Sequence, residues 1–328
     1  MFPTLKKFFI DDPIDRTQKI YFWCVNVFAA YLPFLYIPFY YLYARRLLRI
    51  GKDGRVGMMQ AGSFIVRGCD LRCEFCVSFS AYRKGYFPAD ELLASYAEWR
   101  KKIKPKFFAW SGGEPLLHPE LPRILREGAK IWNDSKLWLG TNGLLLERVD
   151  SEVFQALRES RCKLFVTEHT FDPEHRKKLD AGYARLKQEG IPFVVRPSRL
   201  VWSAKYQYKT AHPDQADAAQ EGEIVPYDSN PKRAWMNPLN SCDCATISGD
   251  QLYKCTYLLQ IRQMVSAGFL DADAWKSALT YVPLTLQSST AEILEHLRHT
   301  GMPSCKVCTD KNSIVPARQL PVQKRIDG

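Results

Sequence analysis

Apolar positions fall into short runs separated by amphipathic stretches. Runs at 63–66, 107–110, 137–140, 163–167 and 191–196 read as strands. Between them, 88–100 reads as a helix with Leu92, Leu93, Tyr96 and Trp99 on one face. Residues 120–132 read as another, weakened by Gly128, with Pro119 near its start. Asp150 caps a helix running through Leu157. Asp172 and Pro173 open a further helix carrying Leu179, Tyr183 and Leu186, and Gly190 closes it. Strand starts recur about every 30 residues, as a parallel βα repeat requires. The pattern predicts an α/β fold, a full or partial (β/α) barrel with its chemistry at the C-terminal ends of the strands. A sixth strand is sought in 223–227 or 199–202.

Two regions break this rhythm. Residues 21–43 carry no full charge, and as a helix they would span about 35 Å, enough to cross a bilayer. The stretch is rich in Tyr, Phe and Trp, and Pro33 and Pro38 interrupt it. Lys6, Lys7, Arg16 and Lys19 precede it, and Arg45, Arg46, Arg49, Lys52 and Arg55 follow. Basic flanks on both sides suit an in-plane or re-entrant anchor on a cytoplasmic face better than a straight span; the alternative is a helix buried on the core or on a partner. No small-residue cleavage site follows, so it does not read as a signal peptide. Later, 205–232 is polar and loop-like, a lid or an insertion. Residues 247–252 read as a hairpin around Gly249 and Asp250, and 291–299 as a helix.

Charge adds one point. The net charge is +11, but residues 1–68 hold ten Lys/Arg against four Asp/Glu. The basic bias thus belongs to the N-terminal arm, and no nucleic-acid partner is expected. The ten cysteines cluster rather than spread, which favours ligand sets in a reducing cytosol over a disulfide scaffold.

Cys69, Cys73 and Cys76 stand at C-x3-C-x2-C spacing. Three thiolates this close do not make a sensible disulfide set, but they can hold a [4Fe–4S] cube and leave one iron without a protein ligand; a three-Cys zinc loop is the alternative. One βα unit later, Gly112-Gly113-Glu114 follows a strand, and glycines let backbone approach a ligand closely. With Phe75 before the last cysteine, this stretch resembles the radical S-adenosylmethionine (SAM) superfamily, and the resemblance covers roughly residues 61–310.

The resemblance implies a partial (β/α)6 TIM-like barrel in which the open iron chelates SAM. Phe75, Gly112, Gly113, Glu114, Thr141, Asn142, Thr167 and Arg196 are the implied cofactor-contacting residues. A reductant such as flavodoxin or ferredoxin would supply the electron that splits SAM into methionine and a 5′-deoxyadenosyl radical. Glu168, His169 and Asp172 follow the fourth strand as substrate-facing acid/base candidates or as rim caps. Arg196 and Arg199 are candidates for holding a substrate anion or for surface ion pairs. His118, inside the Gly-Gly-Glu turn, reads as structural.

Cys244 and Cys255 flank the hairpin, and Cys305 and Cys308 form C-x2-C; together they suit one tetrahedral site for zinc or a second [4Fe–4S] cluster. Placed after such a barrel, the set resembles a Twitch domain, a short form of the SPASM domain, which holds an auxiliary [4Fe–4S] cluster. The hairpin pair is closer together than the usual SPASM opening. Cys242 competes with Cys244 for the fourth ligand place, and the loser is a candidate hydrogen-atom donor or a bystander. Cys24 and Cys162 read as bystanders.

The expected organisation is a membrane-contacting arm (1–57), a radical SAM partial barrel (58–235) and an auxiliary-cluster domain with tail (236–328). The expected activity is hydrogen abstraction from an unactivated C–H, an oxidoreductase or isomerase reaction ending in dehydrogenation or epimerisation of a sugar, lipid or small metabolite. Peptide maturation and a membrane-tethered electron carrier are the alternatives.

Overall fold

A computed structural model describes residues 46–169, 172–196, 201–209, 223–237, 240, 244–311, 313–316, 319–320 and 326–327. The arm at 21–43, Arg199 and Cys242 lie outside the described residues. Strand β1 (Arg49–Ile50) pairs antiparallel with β2 (Val56–Val66). A long loop containing β3 (Arg83–Lys84) leads to α1 (Ala89–Arg100). Three βα units follow: β4 (Ile103–Gly112) with α2 (Leu121–Ile131), β5 (Lys136–Thr141) with α3 (Ser151–Glu159), and β6 (Lys163–Thr167) with α4 (Pro173–Gln188). Strand β7 (Phe193–Arg196) ends the series. Strands β2, β4, β5, β6 and β7 are neighbours in that order and all parallel, so the expected mostly parallel α/β sheet is present.

Local chemistry fixes the helix starts. Asp150 accepts from the Glu152 amide at 2.8 Å, and Asp172 from the Glu174 and His175 amides at 2.8 and 3.2 Å. The chain after β4 first makes a short turn at Pro115–Leu117, and α2 then begins at Leu121 with Glu120 at its N-cap, close to the expected start.

The sixth parallel strand is not where it was sought. Strand β8 (Val201–Ser203) pairs with β14 (Ile314–Pro316), and β9 (Gln207–Lys209) pairs with β10 (Glu223–Val225), each in its own two-stranded sheet. After α5 (Pro231–Met236), β11 (Ala245–Ser248) returns to the opposite edge and pairs parallel with β2, Thr246 opposite Gly62. Strand β12 (Gln251–Tyr253) completes the expected hairpin, with Ser248 opposite Gln251 and Gly249 at φ 59°. Helices α6 (Thr256–Ser266) and α7 (Lys276–Leu279) follow, then β13 (Leu284–Thr285) and α8 (Thr290–Arg298), which Ser289 and Glu292 start with a capping box. Strand β15 (Ile326–Asp327) pairs parallel with β3.

The main core lies between the sheet and its helices, around Phe108, Trp110, Trp132 and Leu139. A second, aromatic core joins Phe79, Tyr206, Tyr257 and Trp275, with Phe75, Cys255, Cys305 and Cys308 packed against it. The described strand ends thus carry the first cysteine loop, while the second core carries the later cysteines.

Candidate functional site

Strands β2 and β4 stay paired to their C-terminal ends, Val66 opposite Gly112. The cysteine loop and the Gly112-Gly113-Glu114 turn therefore leave the sheet side by side. Gly113 donates its amide to Val66 O at 2.9 Å, and Glu114 donates its amide to Gly68 O at 2.9 Å. A Cβ on Gly112 would stand 2.3 Å from Val66 O, and one on Gly113 1.8 Å from Gly68 O. Gly112 also holds φ at 146°. The close backbone approach expected for a ligand is thus made to the cysteine loop itself.

Glu114 is fully buried and joins three strand ends. Its Oε1 accepts from Thr141 Oγ1 at 2.7 Å and from the Leu116 amide at 3.0 Å; its Oε2 accepts from the Asn142 amide at 2.8 Å. Burial pushes its carboxyl up to about 7, and these bonds pull the other way. Asn142 in turn donates from Nδ2 to Asp70 Oδ1 at 2.6 Å and to Cys69 Sγ at 3.7 Å. Thr141 and Asn142 thereby lock the floor of the site.

Each loop sulfur has a polar neighbour. The Leu71 amide donates to Cys69 Sγ at 3.4 Å, and Gln319 Nε2 donates to Cys73 Sγ at 3.3 Å. Ser78 Oγ lies 3.1 Å from Cys76 Sγ and 2.7 Å from Ser80 Oγ. Phe75 is held at φ 56°, its amide donating to Tyr206 Oη at 3.1 Å and its ring 4.9 Å from that of Tyr206. Burial raises the Cys69 thiol and pushes Cys73 up to about 12. Buried thiols of this kind ionise when a metal supplies positive charge.

This donor set fits a [4Fe–4S] cluster: three free thiols on one loop, with N–H or O–H groups beside their sulfurs. Among the described residues no group of three or more His, Cys, Asp or Glu is spaced to hold a metal ion. A lone zinc draws its sulfurs in to about 2.3 Å, whereas each thiolate of a cube binds a different iron.

At the next strand ends, Thr167 pairs in register with Arg196. Glu168 accepts from Arg176 Nη1 at 2.7 Å and from Tyr183 Oη at 2.9 Å, a rim pairing with α4. His169 beside it is half-buried. His118 is buried, its Nε2 2.8 Å from Phe87 O and its Nδ1 accepting from the Glu120 amide at 3.0 Å, a structural role as expected.

Cys255, Cys305 and Cys308 line one cavity of about 20 Å³ together with Lys254 and Trp235. Burial raises all three thiols, Cys305 to about 11. Cys244 precedes β11, and Thr256 Oγ1 donates to its carbonyl at 3.4 Å. Of the second cysteine set, three members therefore meet at one wall. Sequence reasoning missed Gln319 beside Cys73 and Tyr206 beside Phe75, since single polar residues at long separation leave no pattern.

The fold and the loop agree with one class. Residues 63–188 match the sequence model of the Radical SAM superfamily and form a radical SAM domain. That superfamily works with a [4Fe–4S] cluster and SAM. Among curated relatives, a GTP 3′,8-cyclase of Aquifex aeolicus (strain VF5) is 30% identical over 142 residues, 42% of this chain and 43% of the relative. A GTP 3′,8-cyclase of Microcystis aeruginosa (strain NIES-843 / IAM M-2473) is 33% identical over 129 residues, 37% of each chain. The chain thus spans less than half the length of these relatives. Among solved structures, BtrN in complex with AdoMet and 2-DOIA is 14% identical with a TM-score of 0.40, covering 79% of this chain and 98% of that one.

Proposed function

We propose that this chain is an enzyme that cleaves SAM reductively and uses the resulting radical to take hydrogen from an unactivated substrate C–H. The observation that carries it is the joined pair of loops, Cys69, Cys73 and Cys76 beside Gly112-Gly113-Glu114, at the C-terminal edge of a parallel sheet. Bound there, the cluster and SAM supply one-electron cleavage to a 5′-deoxyadenosyl radical. The residues of the chain hold and aim. Cys69, Cys73 and Cys76 would hold the cluster through their thiolates. Glu114, itself fixed by Thr141 and the Asn142 amide, keeps the two loops in contact. SAM would lie against the turn at Gly112 and Gly113, and the resemblance adds Phe75 as a further contact. Thr167 and Arg196 end the adjoining strands as further SAM contacts. Glu168, His169 and Arg199 remain candidates for substrate handling.

The second cysteine set would hold an auxiliary [4Fe–4S] cluster through Cys255, Cys305 and Cys308, with Cys244 or Cys242 as the fourth ligand. Such a cluster would take an electron from a substrate radical and favour dehydrogenation; a free thiol returning hydrogen would favour epimerisation. A sugar, lipid or small metabolite is the proposed substrate class. The activity named for the curated relatives makes GTP the first nucleotide to try, and the uncharged stretch 21–43 supports contact with a membrane surface.

Anaerobic reconstitution with iron and sulfide, followed by SAM and dithionite, tests this reading. The expected result is release of 5′-deoxyadenosine, lost on Cys73→Ala. Cluster absorption near 400 nm without 5′-deoxyadenosine would instead identify an electron carrier.

A further inference from the structure

The segment after β14 reads in the sequence as a tail, yet it lies on the cysteine loop. Gln319 and Cys73 form an antiparallel bridge. Gln319 Oε1 accepts from the Arg72 amide at 2.7 Å, and its Nε2 donates to Cys73 Sγ at 3.3 Å. One residue on, the Leu320 amide donates to Arg72 O at 2.7 Å, while the Leu320 side chain is buried in the aromatic core. Further along, β15 pairs with β3, just beyond the loop. Residues 319–320 therefore lie on the loop, between the pairing of β14 with β8 and that of β15 with β3.

We propose that Gln319 is a positioning residue of the SAM-binding cluster, setting the reduction potential through its N–H bond to Cys73 Sγ and holding the loop through its carbonyl. The inference rests on the cofactor reading above. Taking up one electron adds negative charge to the cluster, and part of that charge spreads onto the thiolate sulfurs. A donor on a sulfur stabilises the reduced form more than the oxidised form, so the potential rises. Gln319 suits this role in a way that a backbone amide of the loop does not. Its two ends are tied to different atoms of the same loop, so the donor keeps its aim while Arg72 and Cys73 keep their spacing. The side chain is exposed, which leaves room for substitution without opening a core.

The test uses the full chain, reconstituted with iron and sulfide. Dithionite titration followed by electron paramagnetic resonance gives the potential, and pulsed measurements in D₂O give the coupling of exchangeable deuterons to the reduced cluster. Gln319→Leu is expected to shift the one-electron reduction equilibrium against reduction by up to about tenfold, or about 59 mV, and to remove one deuteron coupling. Gln319→Glu keeps an acceptor for the Arg72 amide, so the loop stays in place, and the same deuteron coupling should still disappear. An unchanged potential in Gln319→Leu with the wild-type deuteron pattern in both variants overturns the proposal. A wild-type chain that takes up no iron and lacks absorption near 400 nm overturns the cofactor reading and this inference with it. A wild-type cluster with indifferent variants overturns only the inference.

Discussion

Gly128 lies in the middle of α2, where a glycine costs about 1 kcal/mol relative to alanine. From the sequence it is a flaw in the helix. In the fold its bare Cα faces the indole of Trp110, and an added Cβ would stand 2.6 Å from Cζ2. Trp110 is fully buried, with its ring 5.5 Å from that of Phe108, so it has little room to withdraw. Gly128→Ala is therefore expected to lower stability by about 1–3 kcal/mol, overpacking outweighing the propensity gain. A urea midpoint equal to or above wild type would refute this. The same distinction holds at Gly112 and Gly113: the sequence identifies them as a place of close approach, but only the fold says that their nearest neighbours are Val66 and Gly68.

Among elements, the βα repeats were legible because each strand and helix carries its own periodicity and caps. The reading of 63–66 is short, since β2 also includes residues 56–62, where apolar and small residues mix. The sixth parallel strand was missed for another reason. Strand β11 is only four residues long and earns its place by pairing with β2, far back in the chain, which no local pattern reports. Helix α8 carries a titratable group whose state follows from packing. His296 lies 2.8 Å from Tyr281 Oη, and burial, aided by the charges of Lys254 and His299, holds it down at about 4. An unfolded histidine takes up its proton near 6.5. Stability is therefore full above pH 6.5 and falls as the pH drops toward 4, where only the unfolded chain binds the extra proton. The loss should be about 1 kcal/mol after allowing for solvent around the ring. His296→Gln should flatten this part of the stability–pH curve; identical slopes in wild type and variant would rule the assignment out.

For the whole molecule, the cysteine spacing made the metal chemistry legible, while the tail contact did not show because Gln319 and Cys73 lie 246 residues apart. Glu168 was readable only as one of two alternatives, and its pairing with Arg176 and Tyr183 depends on the start of α4. The apolar stretch of the N-terminal arm, 21–43, lies outside the described residues, and among those described no helix is long and apolar enough to cross a membrane. The prediction for the arm comes from its sequence. The full chain should sediment with vesicles containing anionic lipid, and replacing Arg45, Arg46 and Arg49 with glutamine should weaken this roughly a hundredfold, at roughly 1 kcal/mol of attraction per cation. Equal recovery of wild type in the supernatant with and without vesicles would contradict membrane contact.

Because β11 pairs in register with β2, the strand that begins one residue after Cys244 cannot slide along the strand that leads to Cys69 without breaking their shared hydrogen bonds. One member of the second cysteine set is thereby anchored to the same sheet as the first loop, and unfolding at that edge should disturb both together.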